Sequence, residues 1–203
     1  ANKWNIRGQA LVNRLQAMQK ERPDLTILDM GCGVNEYKKH LNNVTGVDPY
    51  RSEADIMCKQ SDFDPKGQTW DVVICFGSMN WYTYDEQYRN MKKLKECLAP
   101  EGLLLWSHNH NYYKLFQPDA VHAHTWLHGD LDDAQKNSAY FFCDREWKYT
   151  WYFNITEHGT NTLAKHVGLS VDKIDYDHCN LYRPPMWRLF LEMSHENSNR
   201  SKS

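Results

Sequence analysis

An acidic residue and two glycines stand together in ILDMGCGVNEY, residues 27–37. Asp29 ends an apolar run, and Gly31 and Gly33 follow it one residue apart. Glycine permits unusual dihedrals and lets a ligand approach the main chain closely. Asp48 follows in TGVDPY, and a carboxylate at this distance can accept both hydroxyls of a ribose. Taken separately, these residues indicate a tight turn and a turn residue before Pro49, but their joint spacing favours a nucleoside-binding site.

The charge around the turn distinguishes two nucleoside cofactors. A dinucleotide fingerprint has a third small residue, where the pyrophosphate rests on a helix N-terminus. That position is Glu36 here, and the carboxylates of Glu36 and Asp29 would repel a pyrophosphate. The same acids suit a ligand that carries an ammonium and a sulfonium. The electrostatics therefore favour S-adenosylmethionine over NAD.

The elements that must position these residues alternate between strand and helix patterns. Helical spacing of apolar residues covers 4–20, 85–98 and 160–167. Seven short apolar segments predict strands at 26–29, 44–48, 54–58, 70–76, 103–106, 169–176 and 187–193. The alternation predicts one α/β domain over residues 1–203, with a mostly parallel sheet, helices on both faces and a flexible polar tail at 195–203. Ligands bind such sheets outside the carboxyl ends of the strands, where the glycine turn falls.

Five segments follow one another along this pattern: ILDMGCG, TGVDP, SDF, WDVVICFGSMNWY and LKECLAPEGLLLWS. Together they resemble the motifs of the class I S-adenosylmethionine-dependent methyltransferases, particularly the small-molecule branch of methyltransferase domains 11 and 25. The resemblance covers about residues 25–107. It implies a Rossmann-like sheet of seven strands whose last strand is antiparallel.

The resemblance also implies which residues hold the cofactor. Asp29 would line its methionine end, Asp48 its ribose and Asp62 its adenine amino group. The implied cofactor-binding residues are Asp29, Gly31, Cys32, Gly33, Asp48, Pro49, Asp62, Phe63, Phe76, Gly77 and Ser78. Where the family's first motif often has a third glycine, this chain has Asn35, which tolerates left-handed dihedrals better than most residues do.

Two histidines beyond the fifth predicted strand are candidate catalytic bases. Methyl transfer from a sulfonium is an in-line displacement, so the protein chiefly aligns the nucleophile and excludes water. A hydroxyl acceptor usually needs a base, whereas a neutral amine can attack unaided. His108 and His110 are one residue apart in SHNHNYY and could serve, although a structural role is the alternative for each.

An aromatic-rich insertion follows the fifth predicted strand, over residues 107–155. Twelve of the 27 Phe, Tyr and Trp residues of the chain lie between residues 107 and 153. A lid with its own small core and the wall of an acceptor pocket both explain this density, and a lid can be a wall. We therefore predict a small-molecule acceptor, with oxygen favoured over nitrogen as the acceptor atom.

Composition and missing motifs exclude several other classes. A net charge of −2 gives no case for DNA or an anionic membrane as partner, and the chain lacks the Pro-Cys and Asn/Asp-Pro-Pro-aromatic motifs of DNA methyltransferases. The histidines of the HxHxxxH pattern at 122–128 have no accompanying cysteine or carboxylate set, so we predict no metal site. Six cysteines without CxxC pairs and the lack of a long apolar run predict a cytoplasmic protein. An RNA or protein acceptor, and a non-catalytic cofactor-binding subunit, remain open alternatives.

Overall fold

The computed structural model describes residues 7–78, 84–109, 123–126, 138–145, 148–155, 157–179 and 186–197. Their helices are α1 (Gly8–Glu21), α2 (Tyr84–Cys97) and α3 (Glu157–His166), with short 3₁₀ helices at Glu36–Lys39 and Gln60–Asp62. Their strands are β1 (Ile27–Met30), β2 (Val44–Val47), β3 (Trp70–Phe76), β4 (Leu98–Asn109), β5 (Ala123–Trp126), β6 (Ser138–Arg145), β7 (Lys148–Ile155), β8 (Leu169–Cys179) and β9 (Met186–His195).

The main sheet has six strands in the order β2-β1-β3-β4-β9-β8. Strands β1 to β4 pair in parallel, and β9 is antiparallel to both β4 and β8. The prediction of a mostly parallel sheet with an antiparallel last strand is confirmed. The carboxyl ends of β1, β2 and β3 consequently meet at one edge, the edge that the glycine turn also occupies.

Both faces of the sheet are covered, which explains why its strands are nearly continuous apolar runs. Leu11 and Leu15 of α1 pack in one core layer with Ile27 and Ile74. The other layer contains residues of β1, β3 and β4 together with residues of α2 and α3, namely Leu28, Val73, Trp106, Met91, Leu94 and Leu163. The prediction of helices on both faces is therefore confirmed.

The predicted strand at 54–58 does not form in full. It is reduced to a single parallel bridge between Val47 and Ile56, so the described main sheet has six strands rather than seven. Ile56 and Met57 are 39% and 62% exposed, and the segment thus lacks the buried face that supports a strand. The apolar content of the segment resembles that of a strand, but the side chains of Ile56 and Met57 do not enter the core.

The predicted insertion contains strands that its sequence pattern did not indicate. β5, β6 and β7 form a separate antiparallel sheet of three strands. The structure describes only the backbone of these three strands, so the role of the insertion as a lid or pocket wall stays a prediction. The predicted flexible tail also lies outside them from residue 198 onward, whereas β9 extends to His195.

Candidate cofactor site

A cavity of about 580 Å³ opens at the carboxyl ends of β1, β2 and β3, within the size range of small-molecule sites. Six of the predicted cofactor-binding residues line it: Gly31, Asp48, Pro49, Phe76, Gly77 and Ser78. The other lining residues are Met30, Val47, Tyr50, Cys58 and Gln60. The structure thus brings together residues from three strand ends that are up to 48 positions apart, Met30 and Ser78.

The glycine turn is fastened to the end of β2 by its own backbone. The amides of Gly31 and Cys32 both donate to the carbonyl oxygen of Val47, at 2.7 and 3.1 Å. Gly31 has a φ of +82°, and a Cβ there would lie 2.5 Å from Cβ of Ser78. Gly33 has a φ of +55°, but a Cβ there would meet nothing within 4 Å. Gly31 is therefore needed for packing inside the protein, while the space over Gly33 is open to a ligand.

Asp48 joins the turn to the cavity. Its Oδ2 accepts a hydrogen bond from the Gly33 amide at 3.1 Å, and its Oδ1 accepts one from the Tyr50 amide at 2.9 Å. A carboxylate has about four acceptor positions, so these two bonds fix its orientation and leave further acceptor capacity. The arrangement suits the bidentate ribose contact expected of Asp48.

Asp29 is a buried acid beside the same turn, only 4% exposed. Burial, and secondarily the negative charge of Asp48, raise its pKa to about 7. Burial and the Asp29 charge likewise raise the pKa of Tyr37 to about 12. Within the described part of the chain, Asp29 makes no ion pair. The turn therefore carries negative charge that a cationic ligand would offset and a pyrophosphate would increase.

The loop after β3 is tied to the end of β1 through Ser78. Its hydroxyl donates to the carbonyl oxygen of Met30 at 3.3 Å and lies 3.1 Å from the Cys75 sulfur. The Gly77 amide, at a φ of +71°, donates to the carbonyl oxygen of Ser107 at 3.3 Å. Burial raises the pKa of Cys75 to about 12, so its thiol is neutral. These contacts form one wall of the cavity.

Five predicted cofactor residues do not line the cavity: Asp29 and Gly33, which lie in the glycine turn described above, and Cys32, Asp62 and Phe63. Cys32 is half-buried, and burial, with smaller effects of Asp29 and Asp48, raises its pKa to about 11. Asp62 is exposed and accepts from the Ser61 hydroxyl at 3.0 Å. The Phe63 ring is buried, 6.0 Å from the Trp70 ring, and its amide donates to a 3₁₀-helix carbonyl. Their roles toward the cofactor stay predictions.

Sequence reasoning missed two polar residues of the wall, Tyr50 and Gln60. Tyr50 is 81% exposed and directly follows the second motif, VDP. Gln60 is 7% exposed and stands two positions before Asp62. Adjacency to a recognised motif was their only signal, since neither residue type is diagnostic by itself.

The two candidate bases have different outcomes. His108 is fully buried on the face of β4 that α2 and α3 cover, with its Nε2 3.2 Å from Nε2 of Gln87 and its ring 5.2 Å from the Trp106 ring. It does not line the cavity. His110 lies outside the described residues, as do two of the histidines in the predicted HxHxxxH pattern. A catalytic role for His108 or His110 stays a prediction.

A second cavity, of about 630 Å³, lies at the opposite edge of the sheet. It is lined by the starts of β3 and β4, the end of β9 and one face of α2, through residues that include Thr69, Tyr88, Leu98 and His195. It contains neither the acid–glycine turn nor Asp48. Of these two cavities, the first is the one lined by Gly31 and Asp48.

A family model described as a methyltransferase domain matches residues 5–189. This chain belongs to that methyltransferase family. Among curated protein sequences, none matches this methyltransferase. No helix in the described residues is long and apolar enough to cross a membrane.

Solved structures share the fold of this methyltransferase at low sequence identity. An S-adenosylmethionine-dependent methyltransferase from Listeria monocytogenes, named as putative, is 17% identical, with a TM-score of 0.61 over 91% of this chain and 99% of its own. The 1,6-didemethyltoxoflavin-N1-methyltransferase of Burkholderia thailandensis, with bound S-adenosylhomocysteine, is 13% identical. Its TM-score is 0.56 over 92% of this chain and 79% of its own. The magnesium protoporphyrin IX methyltransferase of Synechocystis, also with bound S-adenosylhomocysteine, is 16% identical. Its TM-score is 0.58 over 92% of this chain and 83% of its own.

The family and the fold together make this chain an S-adenosylmethionine-dependent enzyme. The residues present fit that cofactor on three observations. Asp29 is a buried acid without a cation among the described residues, the space over Gly33 is open, and the Asp48 carboxylate is fixed at the cavity wall. The prediction of S-adenosylmethionine over NAD is confirmed.

Proposed function

We propose that this methyltransferase acts on a small-molecule acceptor and that the atom it methylates is an oxygen. The observation that carries the proposal is a buried histidine at the end of β4. Ser107 pairs with the cavity residue Phe76, so His108 stands one residue beyond the level of the cofactor wall. In the proposal, the acceptor hydroxyl reaches this imidazole, which removes the proton that a hydroxyl must lose, whereas an amine would not need it.

The chemistry divides between the cofactor and the chain. When bound, S-adenosylmethionine supplies a methyl group on a sulfonium. In the proposal, Asp48 orients the ribose while the buried Asp29 offsets the ammonium of the methionine end. His108, held through Nε2 by Gln87 at 3.2 Å, takes the acceptor proton, or His110 does so in its place.

Two further facts support a small acceptor. The net charge of −2 supplies no general attraction for the phosphates of a nucleic acid. Two of the structural neighbours are named for small-molecule acceptors, a didemethyltoxoflavin and magnesium protoporphyrin IX.

The acceptor class is tested with radiolabelled S-adenosylmethionine and three fractions of a cell extract: small molecules, RNA and protein. We expect label to pass into the small-molecule fraction and into a product that is stable to nuclease and protease. Label in RNA or protein would replace the proposal with one of those acceptors. Cofactor binding by calorimetry with no transfer to any fraction would indicate a non-catalytic subunit.

The acceptor atom is tested once a substrate is found. We expect either His108→Gln or His110→Gln to lower kcat by a factor of about 10² or more and to remove the low-pH limb of the rate profile, with cofactor affinity unchanged. Gln87→Leu should lower kcat less, because it removes one contact of the ring without removing the ring. Full activity of both histidine variants would show that neither is the base and would favour a nitrogen acceptor.

A further inference from the structure

Asn35 stands where first motifs of this family often carry a third glycine, and its backbone is left-handed, at φ 55° and ψ 43°. The residue is 4% exposed, so its amide is buried instead of pointing to solvent. A side chain in left-handed backbone costs free energy relative to glycine. Its Oδ1 is also buried and has no hydrogen-bond partner among the described residues, which is a second cost. Asn35 therefore has two free-energy costs, against which the contacts of its side-chain amide have to be weighed.

The amide of Asn35 reaches across to the segment that follows β2. Its Nδ2 donates to the carbonyl oxygen of Glu53 at 3.0 Å and lies 3.4 Å from Oδ2 of Asp55. The same Oδ2 accepts the Gly46 amide at 2.8 Å, and Oδ1 of Asp55 pairs with Lys38. The glycine turn and residues 53–55 are therefore joined by one small polar network.

Gly46 leaves the space that the side chain of Asn35 occupies. A Cβ at Gly46 would lie 2.6 Å from both Nδ2 and Oδ1 of Asn35, closer than real Cβ contacts allow. Gly46 is an ordinary residue of β2 without positive φ, so the backbone does not require glycine there. The missing side chain instead makes room for the Asn35 amide.

The segment that Asn35 holds becomes a wall of the cofactor cavity. The amides of Asp55 and Ile56 donate to the carbonyl oxygen of Gly46, at 2.9 and 3.1 Å, and the Asp48 amide donates to that of Ile56. The chain then continues to Cys58 and Gln60, which line the same cavity as Gly31 of the glycine turn. Because this segment forms only one bridge with β2, it has little strand pairing of its own to position it.

We propose that Asn35 is a positioning residue for cofactor binding. Its amide sets the spacing between the glycine turn and the wall that carries Cys58 and Gln60, and Gly46 supplies the space for it. The pair thus replaces, through a side chain, positioning that a fully formed strand at 54–58 would provide.

The test is a cycle of Asn35→Gly, Gly46→Ala and the double variant. Each single change should lower the midpoint of urea unfolding, while the double variant should lose clearly less than the sum, because the new methyl group enters vacated space. If Gly46→Ala does not fold, a double variant that folds would show the same compensation between the two positions. Additive losses, or failure of the rescue, would overturn the complementarity of the pair.

Cofactor binding separates positioning from stability. We expect Asn35→Gly to raise the Kd for S-adenosylhomocysteine about tenfold, the scale of one lost hydrogen bond, and the double variant to keep that increase. Asn43→Gly is the matched control: Asn43 is also left-handed, at φ 51°, and its Nδ2 donates to the Pro23 carbonyl at 2.9 Å, but it lies at the start of β2. It should lower stability with Kd unchanged. An unchanged Kd in Asn35→Gly, or a Kd that recovers with stability in the double variant, would refute the positioning role.

Discussion

Replacing Asp29 with asparagine should make the stability of the unliganded protein less sensitive to pH. In the unfolded chain the carboxyl has its ordinary pKa of 3.8, whereas burial and Asp48 raise it to about 7 in the folded protein. Between these values the folded state keeps a proton that the unfolded state has lost. The contribution of Asp29 to stability is therefore fully present below about pH 4 and is lost as the pH rises to about 7.

The size of the effect follows from the two pKa values. They differ by about three pH units, and each unit corresponds to about 1.4 kcal/mol, so ionised Asp29 costs the unliganded fold on the order of 4 kcal/mol. Asparagine has the same shape and no titration. The free energy of unfolding of Asp29→Asn relative to the wild type should thus increase from pH 4 to pH 7 and remain constant above it.

The assay is urea unfolding followed by tryptophan fluorescence at half-unit steps from pH 4.5 to 8. Asp24→Asn is the control, because the Asp24 side chain is 86% exposed and its curve should run parallel to that of the wild type. In a second series, wild-type affinity for S-adenosylmethionine should increase as Asp29 ionises near pH 7, and Asp29→Asn should lack this increase. A constant difference between variant and wild type at all pH values would refute the burial argument.

Three further outcomes are expected from single contacts. Asp48→Ala should weaken S-adenosylhomocysteine binding by about 1–3 kcal/mol in calorimetry, and unchanged affinity would place the ribose elsewhere. Gly31→Ala should lower the melting temperature more than Gly33→Ala, since only the former adds a clash 2.5 Å from another side chain to the backbone strain; equal losses would contradict this. Arg14→Gln should lower the free energy of unfolding by about 3 kcal/mol, because it removes bonds of 2.8 and 3.1 Å to Glu192, whose side chain is 8% exposed. Adding Glu192→Gln should recover part of this loss, and an Arg14→Gln variant as stable as the wild type would show that the pair is dispensable.

The sequence by itself predicted a mostly parallel sheet and pointed to the strand ends at which the candidate cofactor cavity opens. Apolar runs such as Ile27–Met30 and Trp70–Phe76 predict buried strands because both faces of a parallel sheet are covered. The acid, the two glycines and Asp48 are local signals at strand ends, where topology alone brings them together. Gly77 and Ser78, inside the segment WDVVICFGSMNWY, were predicted from the family resemblance, and both line the cavity.

Only the tertiary structure decided the features that depend on contacts between distant residues. The 54–58 segment has a strand pattern, but it remains a bridge because Ile56 has no core to enter. Asp29 titrates near neutral pH because other elements bury it, and burial is not a property of its neighbours in sequence. Gly31 is required by a side chain 47 positions away, and Gly46 by the amide of Asn35. Spacing along the chain thus pointed to the candidate site, and packing through space set its charge, its walls and the structural role of Gly31 and Gly46.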